Sequence, residues 1–209
     1  MGAYAWIERY GLGSAYERLL RAPVARTSTR GEWSDARLAE VNAALAARPL
    51  RGMAIVCPYM PQLPAAKLDA YGAWIVDELV PRARREAPMV TGAPLLGGCS
   101  LGGYASLEIF VRRPDDFAAW CGVQTAIGEA GAPGYADRIE KALAKAGPRP
   151  LYVGSSTGDP YLKANQILSD GLKRRAVPHE LRIAPGPHDQ PWLREVGTPE
   201  MLLWCDRVS

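Results

Sequence analysis

Residues 97–103 read Gly-Gly-Cys-Ser-Leu-Gly-Gly, and within them Gly98, Ser100 and Gly102 satisfy the pattern G-x-S-x-G. An apolar run precedes the motif and a helical pattern follows it, the strand–turn–helix context in which such a serine becomes a nucleophile. The turn must be sharp, so side chains flanking it would clash and the serine backbone is strained. It lifts the hydroxyl clear of the sheet and aims the Leu101 N–H and the helix N-terminus at the reaction centre, where they can stabilise an oxyanion. A phosphate-binding P-loop is excluded because no lysine follows the glycines. A dinucleotide fingerprint belongs in a first strand–helix unit, and this motif sits in a third.

A serine hydroxyl needs a base within hydrogen-bond reach. The chain has two histidines. His188 lies in APGPHDQPW, directly after the strand-like ELRIA, and can reach back over the sheet toward Ser100. His179 precedes that strand, at its opposite end, and reads as an exposed loop residue. An imidazole base in turn needs a carboxylate to fix its tautomer. Asp159, in GSSTGDPYL, follows the strand-like PLYVGS and so stands at the strand C-terminal edge, where open α/β sheets place their sites. Pro160 after it also suits a helix start. Asp189 adjoins His188, but neighbours in sequence rarely support each other in this way. A second oxyanion donor is expected from the loop Tyr10-Gly11-Leu12-Gly13, with Gly11 or Leu12 supplying the N–H. Tyr59, Met60, Gln124 and Trp192 follow strands or stand beside His188, and are candidates for pocket lining.

Positioning these groups takes alternating strands and helices. Six short apolar runs, continuous rather than alternating, read as strands buried on both faces: 3–7, 52–57, 93–99, 117–123, 150–155 and 180–184. Helical patterns occupy 36–47 (capped by Ser34), 67–86 (interrupted by Pro81), 101–113, 134–146, 160–176 and 191–207. The expected architecture is α/β, with a mostly parallel sheet of about six strands, helices on both faces, and one domain over residues 1–209.

Composition narrows the function further. Of 209 residues, 48% are hydrophobic and 22% charged, which suits a globular chain. A net charge of +3, from 25 basic and 22 acidic residues, is too small to argue for nucleic acid or a membrane surface. No apolar stretch is long enough to span a bilayer and the N-terminus has no secretory pattern, so a cytoplasmic location is expected. The four cysteines form no CxxC pair and read as reduced thiols. Two histidines rule out a histidine-rich metal site, and no metal or organic cofactor is expected.

These segments resemble the esterase D group of α/β-hydrolases, which includes feruloyl-esterase-like members. The likeness runs through CPYMP, DELVP, GGCSLGG, GDPY, PGPHDQPW and Leu203-Trp204, and covers nearly the whole chain. Ser100, Asp159 and His188 also follow one another in the α/β-hydrolase order. The resemblance implies acyl-enzyme chemistry on a small-molecule carboxylic ester or thioester. An acyltransferase using the same three residues is an alternative, as is an inactive binding protein that keeps the fold. Two departures stand out. Arg9-Tyr10-Gly11 replaces the group's usual His-Gly, and the chain opens where the group has its third strand. That leaves a minimal sheet whose exposed first edge a homo-oligomer would cover.

Overall fold

The computed structural model describes residues 5–30, 32–60 and 64–209. A one-turn π-helix at Ala5–Arg9 leads into α1 (Leu12–Leu20) and α2 (Asp35–Ala47). After a 3-10 turn come α3 (Leu68–Trp74), a π turn at Ile75–Leu79 and α4 (Val80–Glu86). Strands and helices then alternate: β1 (Leu95–Cys99), α5 (Leu101–Arg112), β2 (Ala119–Val123), α6 (Ala132–Ala146), β3 (Leu151–Gly158), α7 (Leu162–Arg174) and β4 (Glu180–Pro187). The chain closes with α8 (Gln190–Trp192), a further π turn at Leu193–Gly197 and α9 (Thr198–Val208).

The four strands form a parallel sheet in the order β1-β2-β3-β4. This corrects the expectation of about six strands, and the two missing ones fail for different reasons. Residues 3–7 are described only from Ala5, where the chain is helical. A continuous apolar run does not distinguish a buried strand from a helix, and here Trp6 meets Tyr10 edge-on at helical spacing, 5.8 Å between ring centres. Residues 52–57 are not a strand either. A side chain engages the backbone here: Met53 N–H donates to the Tyr16 hydroxyl (2.9 Å), and just before the run Arg51 N–H donates to Asp206 Oδ1 (2.9 Å). Ile55 and Val56 remain exposed.

Strand alternation divides the apolar residues between two cores. Trp120, Leu151 and Val153 face one side of the sheet, with Leu107 and Phe110 of α5, Ile139 of α6 and Leu168 of α7. Ala119, Cys121, Val123 and Tyr152 face the other, with Leu19 of α1, Val41 of α2 and Leu202 of α9. Each fully buried large side chain contributes about 1.5–3 kcal/mol. All three crossover helices, α5, α6 and α7, lie on the first face, so each strand is laid beside its predecessor and the order is sequential. The expected cap of α2 is present, with Ser34 Oγ accepting the Arg37 N–H (3.1 Å). The π turns at Ile75–Leu79 and Leu193–Gly197 each precede a proline near the start of the next helix, Pro81 and Pro199. A proline cannot donate to the carbonyl four residues back, and the ladder widens just ahead of it. No described helix is long and apolar enough to cross a membrane.

Glu108 is one of several carboxylates that the fold buries. Glu108 of α5 accepts from Arg138 Nη1 (2.7 Å) and Nη2 (2.9 Å), pairs with Arg112 (2.6 Å) and accepts from the Tyr135 hydroxyl. Burial alone would push its carboxyl up, but the hydrogen bonds from Arg138 and Tyr135, with Arg112 close by, hold it below the ordinary 4.5. A depressed carboxyl stabilises the fold above its unfolded pKa, and the contribution fades as pH falls through the folded one. Glu108→Gln is therefore expected to cost about 2 kcal/mol at pH 7. Its melting temperature should approach that of the wild type as pH is lowered toward 3. Thermal melts of both proteins across that range check this, and a gap independent of pH would refute it.

Candidate active site

Ser100 stands between the end of β1 and the first turn of α5, at φ 53° and ψ −119°. That positive φ is unfavourable for a residue with a Cβ, and the surroundings impose it. Ser100 N–H donates to Val123 O (2.9 Å), and Ser100 O accepts from Ala126 N–H (3.0 Å) and Tyr104 N–H (3.0 Å). The strand and the helix approach each other so closely here that a Cβ on Gly98 would overlap the Gly102 carbonyl and lie 2.8 Å from Gly103 N. The preceding Cys99 is no rival nucleophile, because burial first and the Asp159 charge second push its thiol well above the ordinary 9.0.

His188 follows β4 directly, and a bulge aims it. Ser156 pairs with Ala184 and Gly158 with Pro187, so Thr157 stands opposite two residues, Pro185 and Gly186. Gly186 adopts φ 130°, and a Cβ there would meet the Trp192 ring, with Nε1 at 2.9 Å. The bulge sets His188 Nε2 3.2 Å from Ser100 Oγ and Nδ1 2.8 Å from Asp159 Oδ1. Since ionised Asp159 only accepts, Nδ1 carries the proton and Nε2 presents its lone pair to the serine. The Asp159 side chain is fully buried and doubly supported, by the Ser155 hydroxyl on Oδ2 (2.6 Å) and Tyr161 N–H on Oδ1 (3.0 Å). Helix α7 begins at Leu162, two residues later than expected from Pro160.

The structure thus brings Ser100, His188 and Asp159 into one hydrogen-bonded run. Leu101 is the first residue of α5, where a helix N–H lacks an intrahelical partner. Gly11 caps α1 beside the Arg194 side chain, and Leu12 is the first residue of that helix. Tyr59 is largely exposed and its carbonyl accepts the Tyr71 hydroxyl (3.0 Å), while Met60 is half-buried. Two expected pocket residues need correction. Gln124 is 0% exposed and Trp192 2%, so neither offers surface to a substrate. Trp192 is instead a packing residue, its Nε1–H donating to Pro185 O (2.9 Å) and its ring filling the space beside Gly186. Asp189 does not support the imidazole but caps α8, accepting Trp192 N–H (2.8 Å), and pairs with Arg30 (3.1 Å). His179 is half-buried and bonded to Ser169 Oγ (2.7 Å), not exposed.

Two contacts in the site lie beyond the sequence reading. The Tyr161 ring packs edge-on against His188, 5.7 Å between centres, and Ser155 supports Asp159. The visible signal was the polar Ser155-Ser156-Thr157 at the end of an otherwise apolar strand. Among the described residues no three His, Cys, Asp or Glu side chains converge as metal ligands would.

A ferulic acid esterase superposes with a TM-score of 0.68 over 98% of this chain and 80% of its own, at 18% identity. The chain has an α/β-hydrolase fold. The enterobactin esterase of Shigella flexneri matches over 78% of this chain (TM-score 0.58, 18% identity), and an S-formylglutathione hydrolase of Staphylococcus aureus over 68% (TM-score 0.51, 18% identity). The chain spans only 46% and 64% of those two proteins. No protein-family model and no curated protein matches the sequence.

The two glycines of this α/β-hydrolase turn should respond differently to a methyl group. Gly98→Ala forces backbone apart and is expected to cost about 3 kcal/mol, lowering the melting temperature by about 6–12 °C. Nothing lies within 4 Å of a Cβ on Gly102, so Gly102→Ala should leave the melting temperature unchanged or slightly higher. Melts of the two variants side by side test the difference, and equal losses would contradict it.

Proposed function

We propose that this chain is a serine esterase that cleaves a carboxylic ester or thioester through an acyl-enzyme on Ser100. The observation that carries the reading is the directional hydrogen-bond run from Ser100 Oγ to His188 Nε2 and from His188 Nδ1 to Asp159 Oδ1. It ends on a serine held at positive φ between a parallel strand and a helix. The structural neighbours are named as esterases of ferulic acid and enterobactin and a hydrolase of S-formylglutathione. Those names support an ester or thioester substrate.

In this mechanism Ser100 Oγ attacks the carbonyl carbon while His188 Nε2 takes the hydroxyl proton. Asp159, buried and triply hydrogen-bonded, stabilises the imidazolium and keeps the ring from turning. The Leu101 N–H at the start of α5 supplies one oxyanion donor, and the Gly11 or Leu12 N–H the second. Collapse of the tetrahedral intermediate breaks the bond to the leaving alcohol or thiol, which leaves with the proton from His188. Water then attacks the acyl carbon, gives its proton to His188, and a second collapse returns that proton to Ser100 as the acid departs. Tyr161, edge-on to the imidazole, limits the ring's freedom through these transfers.

A fluorophosphonate probe with peptide mass spectrometry tests the reading. The adduct is expected on Ser100 and absent from Ser100→Ala. Asp159→Asn should slow labelling by about 10³–10⁴-fold, and His188→Ala by at least as much. Folded wild-type protein that takes no adduct, or takes it elsewhere, would overturn the assignment.

A further inference from the structure

We propose that Gln124 is a positioning residue for His188, acting through the carbonyl of Pro187. The inference rests on the serine-esterase reading and adds to it a group buried out of reach of any substrate. The bulge that aims His188 also turns the Pro187 carbonyl toward the end of β3 (Leu151–Gly158). There the oxygen accepts from Gln124 Nε2 (3.1 Å) and from Ser156 Oγ (3.0 Å). Gln124 Nε2 also donates to Ser156 Oγ (2.7 Å), so the amide, the hydroxyl and the carbonyl close a three-membered ring of hydrogen bonds. Both side chains are 0% exposed.

The direction of these bonds is settled by chemistry. Turning the Gln124 amide over would set its oxygen against the Pro187 oxygen, acceptor against acceptor, so the nitrogen faces the carbonyl. Gln124 Oε1 has no partner among the described residues. A buried amide that leaves its own oxygen unsatisfied in order to donate twice is held for its donors. The backbone points the same way, since Gln124 sits at φ 49° with its N–H donating to Gly154 O (2.7 Å). That left-handed residue directs the side chain across β3 to the residue before His188. Pro187 has no N–H, so its carbonyl is the only backbone handle by which neighbours can hold that residue by hydrogen bonding. With that carbonyl fixed and Asp159 gripping Nδ1, the ring is located from both ends. The Nε2 distance to Ser100 then follows.

The experiment compares wild type with Gln124→Met, Ser156→Ala and the double variant. The readouts are the fluorophosphonate labelling rate, p-nitrophenyl butyrate kinetics, thermal melts, and the downfield proton NMR line of the His188 Nδ1–H. Gln124→Met is expected to lower both the labelling rate and kcat by about 30–100-fold, with KM within about twofold of wild type, since Gln124 touches no substrate. Ser156→Ala should lose about 3–10-fold, and the double variant no more than Gln124→Met, because both groups act on one oxygen. The His188 line should shift or broaden in each. A purely structural role would lower the melting temperature but leave labelling of the folded protein, and that line, as in wild type. Such a result would overturn the proposal, as would a raised KM with unchanged kcat. If Gln124→Met does not fold, Ser156→Ala decides, and a wild-type rate there is a refutation. Wild type that takes no adduct would instead sink the esterase reading and this proposal with it.

Discussion

The close crossing of β1 and α5 at Gly98 and Gly102 constrains everything around the site. Strand and helix can meet there only because Gly98 carries no side chain, and their meeting drives Ser100 to φ 53°. Such a residue costs about 1–3 kcal/mol and persists only where its surroundings over-determine it. Here the bonds come from the neighbouring strand. Val123 O takes the Ser100 N–H, and Ala126 N–H returns to Ser100 O. Between them lies Gln124, itself at φ 49°. Two left-handed residues therefore stand side by side at the ends of β1 and β2, each locked by backbone bonds involving the adjacent strand. Val123 and Thr125 flank the second in full burial. The strain is concentrated where the serine is presented, and the cores on both sheet faces offset it.

The same end of the sheet must hold polar groups out of water. β3 and β4 run eight residues against five for β1 and β2, so they extend past the apolar core. On that extension Ser155 and Ser156 are buried, and each hydroxyl has an acceptor: Asp159 for the first, Pro187 O for the second. Asp159 accepts three bonds, one of them from His188. Beside the bulge in β4 the Pro187 carbonyl is taken up by side chains, Gln124 just after β2 and Ser156 of β3.

Much of this was legible in the sequence. G-x-S-x-G, the apolar run before it and the helix after it located Ser100. The ends of two later strand-like runs located Asp159 and His188 at the same edge of a parallel sheet. These are local patterns, and a parallel sheet translates "just after a strand" into one place in space. What the sequence hid depends on distant partners. The run at 52–57 reads as a strand, but its Met53 N–H goes to Tyr16, and the Arg51 N–H just before it goes to Asp206 of α9, which no local pattern reveals. Gln124 follows a strand as a pocket residue would, and only the bulge in β4, more than sixty residues later, gives its amide an internal acceptor. Trp192 beside His188 looks like lining, yet Gly186 leaves a space that the indole fills.

The described residues of the N-terminal third form no strand, and beyond their apolar packing on the sheet they are docked on the C-terminal segment by charge. Three buried carboxylates of the C-terminal segment receive them. Glu195 pairs with Arg18 (3.4 Å) and accepts Thr27 N–H (3.0 Å). Glu200 accepts from Arg37 Nη2 (2.6 Å) and Trp33 Nε1 (3.0 Å). Asp206 accepts Arg51 N–H and pairs with Arg48. Buried ion pairs add little net stability over apolar packing, but a broken one is costly, so they select one docked arrangement over others. That selectivity reaches the site, because the docked loop bears on the histidine turn. Glu32 Cγ lies 3.1 Å from where a Gly186 Cβ would be, and Arg30 pairs with Asp189, the residue after His188. The bulge that aims the base is thus bounded by β3 on one side and by the charge-docked N-terminal segment on the other. The position of His188 depends on both ends of the chain being in place.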